Sequence, residues 1–167
     1  KQRTTYEETD RASAKDDRVV IDFVGTDGQR LRDCWRDGPL TYLGLQVAGF
    51  PNMFMLAGPQ SASLSTNFPR GIETVVDWAS GLFEHAVQHG IHRIEPTPEA
   101  QAEWTAHVKE MYQGLLLRKA KSWFTGYNSN VEGHDKIRYM IYNGGAPRYR
   151  QRLAEVAQQG YAGFRLG

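Results

Sequence analysis

Gly58-Pro59-Gln60-Ser61-Ala62-Ser63-Leu64-Ser65-Thr66-Asn67-Phe68-Pro69-Arg70-Gly71-Ile72-Glu73 is the stretch on which the reading of this chain turns. The apolar run before it, Met53-Phe54-Met55-Leu56-Ala57, reads as a buried strand. A helical apolar pattern follows at Ile72, Val75, Val76 and Ala79. Thr66 or Asn67 stands where an N-cap belongs and Pro69 falls in the first turn. Gly90 closes a helix running from about Phe68 to His89. Strand, glycine, small polar loop, helix N-terminus: this order sets unpaired backbone N–H groups at the end of a sheet. Such a row suits the electron-rich edge of a phosphate, carboxylate or flavin. A capped helix after a sheet, with no ligand at all, has the same pattern.

Outward from that stretch the chain divides readily. Residues 1–18 are charged and almost free of large apolar side chains, the composition of a polar tail or poorly ordered segment, which leaves residues 19–167 as the folded portion. Val19-Val20-Ile21-Asp22-Phe23-Val24 reads as a strand, Thr26-Asp27-Gly28 as a turn, and Leu31 to Trp35 as the returning ribbon. Thr97-Pro98-Glu99 opens a second helix with Trp104, Val108, Met111 and Leu115 on one face. Gly126 to Gly133 is a loop rich in glycine and asparagine, and Arg138-Tyr139-Met140-Ile141-Tyr142 a short strand. A last helix runs from Pro147 to Gln159 and stops at Gly160.

Composition narrows the function classes. The 167 residues are 40% hydrophobic and 23% charged, ordinary globular usage. A domain of this length buries roughly 70% of its unfolded surface. A net charge of +1 without a basic stripe argues against a nucleic-acid partner. No apolar run reaches the ~18 residues of a spanning helix, so no membrane partner is expected. Cys34 is the single cysteine, which excludes an internal disulfide and favours a reducing compartment. The first residues are polar with no apolar signal region, so the expected location is cytoplasmic.

Several separate blocks carry a family resemblance from about Asp22 to Leu166. They are Asp37-Gly38-Pro39 with Thr41-Tyr42-Leu43-Gly44-Leu45 and Gly49-Phe50-Pro51-Asn52; Gly58-Pro59 with Thr66-Asn67-Phe68-Pro69 and Ile72-Glu73; Ser122-Trp123-Phe124-Thr125-Gly126 with Asn128; and Asn143-Gly144-Gly145, Tyr149-Arg150 and Gly160-Tyr161 with Gly163-Phe164. In this order and spacing the chain resembles the C-terminal region of the Baeyer–Villiger monooxygenases, cyclohexanone monooxygenase-like flavin enzymes that insert oxygen next to a ketone. The fold class so implied is α/β: the C-terminal part of a flavoprotein with two dinucleotide-binding domains, mostly helical here with a few short strands, residues 19–167 being the C-terminal portion of the FAD-binding domain with the cofactor- and substrate-lining helices and tail. The family's two GxGxxG turns and the fingerprint between them do not occur in these residues, and its catalytic arginine belongs to that same upstream part. The stretch from Trp123 to Gly144 is also longer than in several members.

The resemblance implies FAD and NADP as cofactors, a small-molecule ketone and O2 as reactants, and the rest of a flavoprotein chain as the partner that makes the site whole. Asn67 and Phe68 then meet the flavin edge, where a helix N-terminus supplies fixed donors to a ring that carries negative charge when reduced. Leu64 and Phe68 face the ketone pocket. Trp123 folds over NADP with its indole N–H as a donor; on its residues alone, without the resemblance, a buried anchor is the better reading. No catalytic residue is assigned within this chain. Two other readings stay open: a non-catalytic module that keeps the C-terminal fold, and a related flavin N- or S-oxygenating monooxygenase.

The remaining polar clusters read blandly. His85, His89 and His92 have spacings of four and three, yet Gly90 separates them and the set reads as a solvated helix end, not a metal site. His134-Asp135 lacks a nucleophile or metal partner and reads as polar loop. Cys34 reads as buried, as do Trp35, Trp78 and Trp104.

Overall fold

The computed structural model describes residues 21–62, 66–113, 115–130, 134 and 136–167, with the backbone alone at Arg118 and Trp123. The expected tail, Val19-Val20 of the first strand, Leu64 and Asp135 therefore lie outside the described residues or side chains.

Among the described residues, four α-helices and one small sheet order the chain, with short 3-10 turns between them: α1 Leu31–Cys34, α2 Phe68–His89, β1 Ile94–Pro96, α3 Pro98–Met111, α4 Ala146–Gln158 and β2 Phe164–Leu166. Helix α2, about 33 Å long, forms where the sequence places it. Asn67 Oδ1 accepts the Arg70 N–H at 3.3 Å, which decides the N-cap between the two candidates. At the other end Gly90 turns left-handed at φ +66° and Ile91 N–H reaches back to the Ala86 carbonyl at 2.9 Å. Its buried residues Gly71, Val75, Ala79, Leu82 and Ala86 fall at helical spacing. Helix α3 starts at the Thr97 cap, whose Oγ1 accepts the Ala100 N–H at 3.1 Å. Helix α4 begins at Ala146, one residue earlier than expected, and buries Tyr149, Leu153 and Val156.

The main core gathers Tyr42, Leu43, Leu45, Ala62, Val75, Trp104, Val108, Tyr112, Tyr142, Tyr149, Leu153 and Val156. Each fully buried large aliphatic or aromatic side chain contributes about 1.5–3 kcal/mol. A smaller cluster, Leu82, Ala86 and Ile94, packs against Phe54, Ile91, Tyr161 and Leu166, while Trp78 and Phe164 touch both clusters. Trp78 also ties α2 to α4, its indole N–H donating to the Leu153 carbonyl at 2.8 Å. β1 and β2 pair antiparallel, Ile94 with Leu166, Glu95 with Arg165 and Pro96 with Phe164.

The strand expectations fail in three places. Met53 to Ala57 is not a strand: Asn52 turns left-handed at φ +59°, Leu56 is 43% exposed, and Met55 N–H to the Leu45 carbonyl is a lone link to that side. Leu31 to Trp35 coils into α1 because Asp33 and Cys34 N–H both turn back to the Arg30 carbonyl, so the ribbon is a single bridge, Val24 to Arg30. Arg138 to Tyr142 is extended but divides its bonds among three partners, and no continuous ladder forms: Thr125 O, the Tyr112 hydroxyl, and the Gln60–Ser61 backbone. Leu115 lies past the end of α3 and is 38% exposed. Cys34 and Trp35 are half-buried, Sγ donating to Gln29 Oε1 and the indole to Leu40 O, whereas Trp104 is buried as expected.

Residues 41–47 are buried throughout and form the floor beneath the loop that enters α2. Tyr42 to Leu45 is a tight turn closed by Leu45 N–H to the Tyr42 carbonyl at 3.0 Å, with Leu43 at φ +57° and Gly44 at φ +71°. Gly44 is also required by space, since a Cβ there would collide with the backbone of Ser61.

Candidate functional site

Gly58 to Ser61 lie against this buried floor, and Thr66 and Asn67 lead into α2. Gln60 and Ser61 are buried and Ala62 joins the main core. Beyond the undescribed residues 63–65 the chain surfaces: Asn67 is exposed, and Phe68, first residue of α2, is 46% exposed. Among the described residues the Phe68 N–H has no acceptor, and Pro69 carries none to satisfy. A 22-residue helix thus opens with a free donor, the positive end of its dipole and an aromatic ring in solvent. That arrangement favours a flat, electron-rich partner.

Beneath this helix start Ala62, Thr66, Arg70, Gly71, Tyr149 and Arg150 enclose a cavity of only about 10 Å³. A water molecule needs at least about that much, so these residues alone form no substrate chamber. A concavity of about 590 Å³ lies between α3 and α4 along Trp104, His107, Tyr142, Arg148 and Arg152, and none of the expected site residues lines it.

The second expected element begins at Trp123, in a 3-10 turn Trp123–Thr125. Its backbone is held from both flanks. Thr125 Oγ1 donates to the Ser122 carbonyl at 2.7 Å, and Phe124 N–H donates to Ser122 Oγ at 3.3 Å. Gly126 turns left-handed at φ +69°, and the loop closes where Arg138 N–H meets the Thr125 carbonyl at 2.6 Å. Inside the loop Asn128 N–H donates to the His134 carbonyl at 2.8 Å. Arg138 then fixes the loop to the rest of the fold through Nη2 on the Arg36 carbonyl at 2.9 Å. Its Nη1 lies 3.1 Å and 3.3 Å from the two ring nitrogens of His134. Burial, then this neighbouring charge, holds His134 below its usual pKa.

The two elements meet through one seam. Gln60 N–H donates to the Met140 carbonyl at 2.7 Å, and Tyr142 N–H to the Ser61 carbonyl at 3.1 Å. The start of the helix-entry loop is therefore paired with the strand-like segment that leaves the tryptophan loop. Sequence reasoning missed Gln60 and Arg138, the residues that make these attachments. A long polar side chain carries no mark of burial in sequence. The rings of His85 and His89 lie 4.1 Å apart and His89 Nδ1 donates to the His85 carbonyl; among the described residues no group of three or more His, Cys, Asp or Glu is placed to hold a metal ion. No helix among them is long and apolar enough to cross a membrane.

No family model matches the chain. Phenazine N-monooxygenase PhzNO1 of Lysobacter antibioticus is 43% identical over 146 residues, which make 87% of this chain and 26% of that protein. A Baeyer–Villiger monooxygenase of Pseudooceanicola batsensis is 37% identical over 143 residues, 86% of this chain and 25% of that one. The solved structure of cyclohexanone monooxygenase from Rhodococcus sp. Phi1 bound to NADP+ matches with a TM-score of 0.80 at 39% identity, over 87% of this chain and 27% of that one. The chain's homologues are Baeyer–Villiger and related flavin monooxygenases. OTEMO in complex with FAD and NADP matches at a TM-score of 0.79 and 35% identity, over 88% of this chain and 26% of that one. The chain spans about a quarter of the length of the curated relatives it matches.

Proposed function

We propose that these residues are the C-terminal portion of an FAD- and NADPH-dependent monooxygenase that inserts one oxygen atom from O2 beside a ketone carbonyl, giving an ester or lactone. The observation that carries this reading is the likeness, in both sequence and fold, to cyclohexanone monooxygenase across 87% of the chain. FAD, reduced by NADPH, supplies the oxygen-activating chemistry when bound. The chain's own residues bind and position. The free Phe68 N–H and the dipole of α2 suit the flavin edge, where donors aimed at developing negative charge have most effect. Asn67 holds that helix start through its cap. Phe68, with Leu64, forms one wall of the ketone pocket and excludes water there. Trp123 contacts NADP from a turn whose backbone is fixed by Ser122 and Thr125.

The rest of the flavoprotein chain is the required partner, and helix α2 has the surface for it. Val76, Phe83 and Val87 are 36%, 43% and 82% exposed along one stripe, the kind of apolar surface that marks an interface. The test is to incubate the full-length flavoprotein with NADPH, air and cyclohexanone, and to assay the products by gas chromatography. A lactone with matching NADPH consumption is expected. N-oxide formation from an aromatic N-heterocycle with no ester from any ketone would overturn the proposal.

A further inference from the structure

The concavity between α3 and α4 ends at donors that go unused among the described residues. Tyr142 is 2% exposed, yet its hydroxyl has no hydrogen-bond partner among them. Trp104, also 2% exposed, carries a buried indole N–H without an acceptor. The two rings stack 5.1 Å apart at 9°, and the His107 ring tilts against both at 5.6 and 5.9 Å. All three line the same space of about 590 Å³, within the roughly 300–1,000 Å³ of small-molecule sites. Buried donors are seldom left unpaired, because each has given up its water. Positive charge gathers at the same wall. A Cβ on Gly144 would collide with the Tyr142 hydroxyl, so that oxygen sits beside the start of α4, whose N-cap Gly145 brings no capping side chain. Burial raises the Tyr142 pKa and the charges of Arg148 and Arg152 oppose it, which puts both guanidinium groups within electrostatic reach of the hydroxyl. Arg152 is shared between Glu103 at 3.7 Å and Glu155 at 3.9 Å, whereas Arg148 has no carboxylate partner among the described residues.

We propose that this concavity binds a flat organic monocarboxylate, an aromatic acid in its simplest form. The carboxylate accepts from the Tyr142 hydroxyl and from the Arg148 guanidinium, in front of the α4 N-terminus. The ring lies along the wall that His107 and Met111 complete. Glu110 on the α3 side of the space limits the ligand to a single negative charge, which disfavours a phosphate. The site is distinct from Asn67, Phe68 and Trp123, none of which lines it. It stands apart from the monooxygenase reading and does not depend on it.

The experiment titrates benzoate, and separately its neutral analogue benzamide, into the full-length flavoprotein by isothermal calorimetry. The protein is wild type, Arg148→Met or Tyr142→Phe. Arg148→Met removes the charge from an exposed position and keeps an apolar stem. Tyr142→Phe removes the hydroxyl and keeps the ring on Trp104. Expected is one equivalent of benzoate in the wild type, bound about tenfold more weakly by Arg148→Met and by a smaller factor in Tyr142→Phe. Benzamide should bind the wild type at least about tenfold more weakly than benzoate. Benzoate affinity equal in all three proteins would place the ligand elsewhere and overturn the proposal. So would equal affinity for benzoate and benzamide, which would mean that no charge is read. Absence of any benzoate binding to the wild type overturns it as well, since the concavity is then filled by the rest of the chain or by water alone. If Tyr142→Phe fails to fold, Arg148→Met decides by the same criterion.

Discussion

The Tyr149 hydroxyl donates to the Leu43 carbonyl at 2.7 Å, across 106 positions of sequence, with both residues buried. The bond joins α4 to the tight turn whose Gly44 bears on the helix-entry loop. Tyr149→Phe keeps the ring and leaves that carbonyl without its donor, at a cost of about 1–3 kcal/mol. Urea unfolding of the full-length protein should show a lower midpoint with an unchanged slope. An unchanged midpoint would mean that the turn holds itself.

The same residue predicts a pH dependence. Burial, reinforced by neighbouring Tyr142, raises the Tyr149 pKa well above the ordinary 10.0. A group that holds its proton more tightly when folded stabilises the fold fully below its unfolded pKa. That contribution is lost as pH rises from there toward the folded value. Stability should therefore decline above pH 10.0, and less steeply in Tyr149→Phe. Tyr42, Tyr112 and Tyr142 shift the same way through burial, so the decline should be reduced and not abolished.

Asn67→Ala should remove the cap of α2 at a cost of about 1 kcal/mol, whereas Asn67→Asp keeps an acceptor and should cost less. Thermal melts of the two variants separate the outcomes. Equal melting temperatures would mean that the Arg70 N–H finds water as readily as Asn67 Oδ1.

Trp123→Ala in the full-length protein should raise the KM for NADPH by roughly tenfold to a hundredfold, as losing a cofactor contact of about 1–3 kcal/mol does. FAD content should be retained, because Ser122 and Thr125 hold the turn. A structural tryptophan gives the opposite pattern: unchanged NADPH kinetics and a stability loss of about 3–5 kcal/mol.

Arg138→Met should let the His134 pKa rise toward 6.5 by removing the neighbouring cation, though burial continues to oppose it. An NMR titration of histidine-labelled protein reads the shift directly. In the wild type, the lowered value means that His134 contributes stability above pH 6.5 and loses it as pH falls from there through the folded value. No shift in the variant would assign the whole effect to burial.

The helices were legible because their signals are local. Asn67 with Pro69, Thr97 with Pro98, and the glycines at 90 and 160 each act within one turn, and all four mark real ends. The strands were not, because strands are made by partners. Met53 to Ala57 has the composition of a strand without a neighbour to pair along its length. Ile94-Glu95-Pro96, with a proline and a glutamate, has the composition of a loop but pairs with Phe164 to Leu166 about 70 positions away. Of the candidate site, the helix start was legible for the same reason. Asn67 and Phe68 follow from the cap, whereas Gln60 depends on Pro39, Thr41, Thr105 and Met140, which only the folded chain brings together.

Helix α2 carries a consequence for anyone handling this polypeptide. Projected at 100° per residue, Trp78, Leu82, Val75, Ala86, Ala79, Ile72, Phe83, Val76 and Val87 sweep about half the circumference, wider than the ≳100° stripe of an ordinary surface helix. The core covers the Leu82 side of that arc, while Val76 and Val87 at the other edge remain in water and Phe83 has a partial cover in Phe54. Such a helix is an inner partition with one room furnished. Kept alone in solution, these 167 residues would find a substitute for the second room in each other, and their elution volume in gel filtration would move with concentration.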